Sequence, residues 1–405
     1  MKKVNSILAV VILSMAGCGG GKQSSDDLII VDVTKSYSSK KELILQDFMD
    51  VEYVVLETND YFLNQGFVMD IGKENILVKN RTQDGDIFIY DRSGKALRKI
   101  NCRGQKISEE YTNIYNITLD ENNGEMFVND IDVRKIYVYD LNGKFKRSFD
   151  HKESANYRYY TTIFDYDNNN LICYDGDTEE AGFNIISKKD GSITQEIKIP
   201  FEKKKYLRQM QQSSGNDNVN IDMNIPPGFK YGGRLVSPQG ANKSIIAYYN
   251  NWILVEFSSD TIYQFLLDRS LCPFIIRTPS IQSMDKEIML VFTFFSDRYF
   301  FFETIRNEYN FNTNQGFQSF FFMYDKQEKD FSGYNVYNGD YSIKKEIFMN
   351  RLRLVNREIE SWQPLEAYQL VEDYKKGELK DGRLKEIASK LDVEDNPVIM
   401  LIKHK

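Results

Sequence analysis

The chain has 405 residues, 41% of them hydrophobic, 27% charged and 14% aromatic, with 27 Phe and 26 Tyr against two Trp. That balance excludes disorder for the bulk of the chain, because disorder goes with few aromatic and β-branched residues. The net charge of −7 argues against nucleic acid as a partner, which needs clustered positive charge. The length allows two or three domains, or one large all-β domain.

The first segment reads as an address. Lys2 and Lys3 precede a short apolar run from Ile7 to Ala16, well short of the ~20 residues that cross a bilayer. Residues 1–17 are therefore expected to be a signal peptide. The segment Ser14-Met15-Ala16-Gly17-Cys18 resembles the lipobox of bacterial lipoproteins, in which the cysteine becomes the acylated N-terminus. Met15 departs from the usual Leu or Val. The resemblance implies lipidation at Cys18 and attachment to a membrane through it. Residues 18–27, rich in Gly, Ser and Asp, read as a flexible tether. Loss of Lys2 and Lys3 with the leader takes the net charge from −7 to −9. No CxxC pair or disulfide framework can be read from Cys102, Cys173 and Cys272; Cys102 lies in a polar stretch and is expected to be exposed, Cys173 to be core.

From residue 28 onward the chain repeats itself. Ile87-Phe88-Ile89-Tyr90-Asp91 before Ser93-Gly94 recurs 49 residues later as Ile136-Tyr137-Val138-Tyr139-Asp140 before Asn142-Gly143. A third copy begins at Phe183, and looser ones at Thr261 and Phe320. Each is an alternating strand running into a turn that favours a hairpin. A second hairpin precedes each, with strands at Ile76-Leu77-Val78, Met126-Phe127-Val128, Leu171-Ile172-Cys173, Ile253-Leu254-Val255 and Tyr299 to Phe302. Four short strands every 45–50 residues is the period of a β-propeller blade. Five blades are countable. A sixth is expected from the chain ends, with Leu28 to Val31 pairing with Pro397 to Ile402 to close the ring, because an open edge invites aggregation. Trp362 to Tyr374 and Arg383 to Leu391 have helical periodicity around a stop at Lys375-Lys376-Gly377. The expectation is thus an all-β, six-bladed propeller over residues 28–405, closed by its terminal strands, with one or two helices near the C-terminus.

Val54-Val55-Leu56-Glu57-Thr58, Glu110-Tyr111 and Glu394-Asp395-Asn396-Pro397-Val398 resemble motifs of a Bacteroidota family of six-bladed propeller lipoproteins. The resemblance covers nearly the whole mature chain. It implies export, a lipid anchor and, in some members, association with outer-membrane nutrient uptake; it carries no catalytic motif.

Candidate chemistry is sparse. Two histidines, His151 and His404, leave little room for His-based metal sites or triads, and no nucleophile elbow, HExxH or P-loop occurs. Asp165-Tyr166-Asp167-Asn168-Asn169 opens like an EF-hand loop, but Asn170 and Gly176 stand where Gly and Glu are required, so it reads as a turn. Asp130 with Asp132, and Asp175 with Asp177, follow equivalent strands and are expected to gather on one face of the ring. They are candidate contacts for a cationic ligand or a calcium ion, although Asp and Gly also simply make turns. No other cofactor is called for. The insertion Phe201 to Leu235 exceeds the repeat by about thirty residues; loops this long are usually functional or disordered, and its Tyr231 and Arg234 are candidates for stacking on a sugar or gripping a peptide. The run Phe292 to Phe302 reads as core between blades. The expected function is a monomeric ligand- or protein-binding module of the cell envelope, facing the periplasm or the surface, with a glycan, peptide or envelope complex as partner. The rival is a carboxylate- or metal-dependent hydrolase or lyase of lactonase type on the propeller axis.

Overall fold

A computed structural model describes residues 28–80, 84–104, 109–151, 160–176, 182–214, 217–221, 233–238, 243–355 and 360–405. The leader, its Cys18 and the tether lie outside the described residues, as do Asp177 and Tyr231. No helix among the described residues is long and apolar enough to cross a membrane.

Strands alternate with tight turns, and six sheets radiate as the blades of one propeller. Blade 1 is Phe67–Ile71, Asn75–Lys79, Ile87–Asp91 and Ala96–Ile100; blade 2 runs from Asn116–Asp120 to Phe145–Asp150, and blade 3 from Thr162–Asp165 to Ile193–Ile197. Blade 4 runs from Ile245–Tyr248 to Leu271–Thr278, and blade 5 from Ile288–Phe295 to Asp330–Tyr337. Blade 6 combines Arg353–Leu354, Ser361–Leu365 and Val398–His404 with Met49–Val55. In each blade the first strand lines the axis and the last lies on the rim.

The ring closes in seven register pairs, from Met49 opposite His404 to Val55 opposite Val398. The segment that pairs with the C-terminal strand is thus Met49–Val55, not Leu28 to Val31. Ile29–Asp32 instead runs parallel to the rim strand of blade 4, and Lys40–Ile44 parallel to that of blade 5. The reason is connectivity. Every rim strand leads into the next blade's inner strand, so the closing strand must be the one that feeds Phe67. The two earlier strands then cover rim edges that would otherwise be open.

Small residues at the repeated turns have a packing cause. Gly94, at φ +88°, lies under the closing strand, where a Cβ would meet the Val55 carbonyl oxygen at 2.0 Å. Gly191, two repeats later in blade 3, at φ +74°, sits against Phe149 of blade 2, whose ring a Cβ would approach to 2.3 Å. Each blade therefore seats its outer turn beneath the preceding rim strand, and only glycine supplies both the left-handed backbone and the space.

Aromatics fill the wedges between blades. Phe292, Phe294, Phe295, Phe301 and Phe302 are fully buried, and Phe292 meets Phe300 and Phe302 at 5.5 Å in edge-on contacts. This run is core, as its alternation implies. Cys173 is core as well. Cys102 is buried too, contrary to the polar sequence around it: its backbone N–H donates to Tyr111 Oη at 3.1 Å, and burial pushes its thiol up to about 11. The helices Ala367–Lys375 and Arg383–Ala388 sit between the second and third strands of blade 6. They bury Leu370, Leu384, Ile387 and Ala388, the residues of the helical stripe. Trp362 to Leu365, which the periodicity assigns to the first helix, is instead the second strand of the blade; Trp362 and Ser361 are buried on both sides of it, which overrides the helical spacing.

Candidate functional site

Antiparallel order sends alternate loops to opposite faces. The loops joining second to third strands, and those joining blades, share one face, so Asp130, Asp132, Asp175 and the insertion carrying Arg234 all lie there. Asp130 is fully buried. Its Oδ2 accepts from Thr112 N, Thr112 Oγ1 and Asn113 N at 2.6–3.1 Å, and its Oδ1 from Asp132 N and Val133 N. That carboxylate holds two loops together. Asp132 accepts from Asn113 Nδ2 at 2.9 Å, the buried Asp175 donates its backbone N–H to Gly182 O at 2.8 Å, and Arg234 donates to Asn314 Oδ1 at 2.8 Å. The described part of the insertion forms a three-stranded sheet, Asp217–Ile221, Gln209–Ser214 and Gly233–Val236. Its approach is anchored on the neighbouring blades: Lys205 pairs with Glu287 at 2.7 Å, and Asn307 Nδ2 donates to Tyr206 O at 2.9 Å.

The same face carries a groove of about 570 Å³ at the seam of blades 6 and 1, with Leu63, Tyr368 and Val393 along it. These three are 57%, 57% and 50% exposed, an apolar rim beside the acids Glu394 and Asp395.

The opposite face opens into a cavity of about 270 Å³ on the axis. Inner strands converge here from several blades. Asp70 and Ile71 come from blade 1, Leu119 from blade 2, Phe164 and Asp165 from blade 3, and Val355 from blade 6, while Trp252 lies in the first half of the second strand of blade 4, Asn251–Leu254. Apolar side chains and polar groups share the walls, and the polar groups are mostly acids, a combination that orients a small ligand.

Each acid has a reason for its place. A bulge between Val68 and Asp70 turns the Asp70 side chain toward blade 2, where its Oδ2 accepts from Leu119 N at 2.7 Å. Burial, with Asp165 and Glu121 nearby, holds its carboxyl well above the usual range. Glu121 reaches back to blade 1 and accepts from Lys73 N, Asn75 N and Asn75 Nδ2 at 2.6–2.9 Å, which caps the turn at the cavity mouth. Beneath, the buried Lys188 stands 2.6 Å from both Asp120 Oδ2 and Asp165 Oδ1. Asp167, the heart of the EF-hand-like string, accepts from Asn169 N and Asn170 N at 2.8 Å: it is a turn staple.

Among the described residues no three His, Cys, Asp or Glu side chains come together as a metal-binding group. His151 is buried, with Nε2 2.8 Å from Asn129 Oδ1 and Nδ1 accepting from Tyr160 N at 3.2 Å. His404 packs on Phe295 at 4.8 Å, its Nδ1 3.6 Å from Asp297. Both rings are placed by packing. The cavity residues escape a search for catalytic motifs because they are spread over five blades. Their one sequence signal is periodic: Asp70, Leu119 and Phe164 end successive inner strands, each about one repeat from the last.

Fold and cavity together define a six-bladed β-propeller with an acid-lined axial pocket. The chain belongs to the family described as a domain of unknown function (DUF4934), which it matches over residues 28–403. Among solved structures it is similar to one from Bacteroides fragilis, described as inferred to be exported, at 14% identity and TM-score 0.57, covering 94% of this chain and 99% of that one. That likeness is one of fold. A member of the DUF4221 family from Bacteroides vulgatus matches at 9% identity and TM-score 0.48, covering 89% of this chain and 99% of that chain. A comparison with curated proteins finds no match.

Proposed function

We propose that this chain is an exported, lipid-anchored propeller that binds a small ligand in the cell envelope, serving an outer-membrane nutrient-uptake system. The axial cavity carries the reading. Its volume of about 270 Å³ falls just under the roughly 300–1,000 Å³ of drug-sized pockets, which suits a monosaccharide or a dipeptide. Acids around an aromatic wall favour an amine or a row of hydroxyls, so an amino sugar or a lysine-bearing dipeptide fits best. The other face, with Asp132, Asp175, Arg234 and the apolar groove at the seam, is the surface left for an envelope partner, with Asp130 shaping its loop.

Asn122 is an exposed turn residue at the cavity mouth, so Asn122→Trp would cover the opening without disturbing the core. In a calorimetric screen of amino sugars and lysine dipeptides, the hit is expected to lose at least tenfold in affinity in this variant while the melting temperature holds. Equal affinity in both proteins defeats the reading. Export has its own test. Cells fed a labelled fatty acid should label the wild type and not Cys18→Ser, which should leave the membrane fraction; label retained by the variant rules the anchor out.

A further inference from the structure

Toward the other face of the propeller from the acidic cavity, the structure collects hydrogen-bond donors around one ring. Phe67 opens the inner strand of blade 1. Arg353 Cζ lies 4.6 Å from its centroid and Lys79 Nζ 5.6 Å, while Trp362 meets it edge-on at 5.7 Å. The pairing register explains the cluster: Lys79 stands opposite Phe67, and Arg353 opposite Trp362. Lys243 arrives from the connection into blade 4. Its ammonium donates to Thr293 O at 2.7 Å on blade 5 and to Leu352 O at 2.8 Å, the residue before Arg353.

An ammonium has three N–H donors and accepts nothing. Lys79 is 6% exposed and uses one of its donors, on Asn80 O at 3.1 Å. Lys243 uses two. The Trp362 indole N–H is buried with no partner among the described residues. Two donors on Lys79, one on Lys243 and the indole are therefore uncommitted, and orphaned buried donors are costly. Charge tells the same story. Burial, with Arg353 nearby, pushes Lys79 below its ordinary value against the pull of Asp84, and takes Lys243 to about 7 against the pull of Glu303. Glu303, the acid nearest Lys243, is itself pushed up by burial. In a chain of net charge −7, three cations here crowd one another.

We propose that this cluster is an oxyanion site, where Arg353, Lys79 and Lys243 receive a carboxylate or phosphate group beside Phe67. A structural role alone accounts for Lys243, whose two carbonyl bonds tie blade 5 to blade 6. It does not account for Lys79 and Arg353 sharing one ring. The site stands independently of the acidic cavity, which takes the opposite charge.

Calorimetry and thermal melting with inorganic phosphate and with galacturonate, at constant ionic strength against chloride, test the proposal. Saturable binding of phosphate or of galacturonate is expected, and the better probe identifies the group the site takes. Arg353 is exposed, so Arg353→Gln should fold normally and weaken that binding at least tenfold; Lys79→Gln should do the same. No saturable binding of either probe below about 10 mM, or binding that both variants leave unchanged, overturns the site.

Discussion

Replacing Lys188 with Met is expected to lower the unfolding free energy by about 3–5 kcal/mol, the cost of removing one partner from a buried ion pair. The side chains of Lys188 and Asp120 are 6% and 1% exposed, and the ammonium bridges Asp120 and Asp165 at 2.6 Å each. Without it the buried Asp120 carboxylate is left uncompensated beside Asp165, which is 31% exposed, and close to Asp70 and Glu121. Asp120 keeps Asn123, which donates to its Oδ2 at 2.7 Å, but an amide does not neutralise a charge. Since whole domains are stable by only about 5–15 kcal/mol, the loss is large. Guanidinium denaturation at neutral pH measures it. Adding Asp120→Asn should recover part of the loss, because the uncompensated buried charge goes; a loss under about 1 kcal/mol for the single variant rejects the bridge as the link between blades 2 and 3.

Acid should remove about 3 kcal/mol of stability through His151 alone. Burial pushes this ring from 6.5 to about 4, against the opposing pull of Asp130 and Asp150. The folded state therefore prefers the neutral ring, with Nδ1 accepting from Tyr160 N. Its contribution is complete above about pH 6.5. It declines as the unfolded chain begins to take up the proton and is gone near pH 4. Each pH unit between those two limits carries about 1.4 kcal/mol. Denaturation midpoints of the wild type and of His151→Gln, compared at pH 7 and pH 4, isolate the contribution of the ring. Gln does not titrate, so the variant should start less stable yet lose about 3 kcal/mol less on acidification. Parallel losses in the two proteins contradict the assignment.

Each histidine on its own is ambiguous, but their setting resolves them. A catalytic ring keeps a face toward the place where a substrate sits. His151 has neither face nor nitrogen to spare, and His404 is wedged between Phe295 and Asp297. What the molecule offers a ligand is instead the acid-lined axial cavity and, as proposed above, the cationic cluster toward the other face. The cavity draws Asp70, Glu121 and Asp165 from blades 1, 2 and 3, whereas the cationic cluster takes Lys79 from blade 1 and Arg353 from blade 6. Small shifts between blades would change both at once.

The motifs behind the family resemblance have structural explanations of the same kind. Val54 and Val55 lie in the strand that closes the ring. Tyr111 is fully buried, and its hydroxyl donates to Gly85 O at 2.7 Å while accepting from Cys102 N. Asn396 accepts from Asn64 N at 2.8 Å and donates to Glu57 O and Phe62 O, stitching blade 6 to the entry of blade 1. Such residues sit where neighbouring blades join, which is why they mark a fold.

Local pattern was enough for the parts of this protein that depend on near neighbours in sequence. Alternating strands, hairpin turns and a period near 49 residues set the blades, and the third strands at Ile87, Lys135, Phe183 and Thr261 fall where the repeat puts them. The amphipathic stripe of Leu384, Ile387 and Ala388 located a helix for the same reason. Tertiary structure decided everything that joins distant segments. It chose Met49–Val55 over Leu28 to Val31 as the closing strand, because only that segment leads into blade 1. It buried Cys102 under a tyrosine nine residues away, and it turned Trp362 from a helical position into a strand. It also assembled the axial cavity, since Asp70, Leu119, Asp165 and Trp252 are spread over 182 residues of chain and meet only because inner strands converge on one axis. Periodicity is a local property that side chains impose on the backbone, whereas a pocket on the axis is a property of the closed ring.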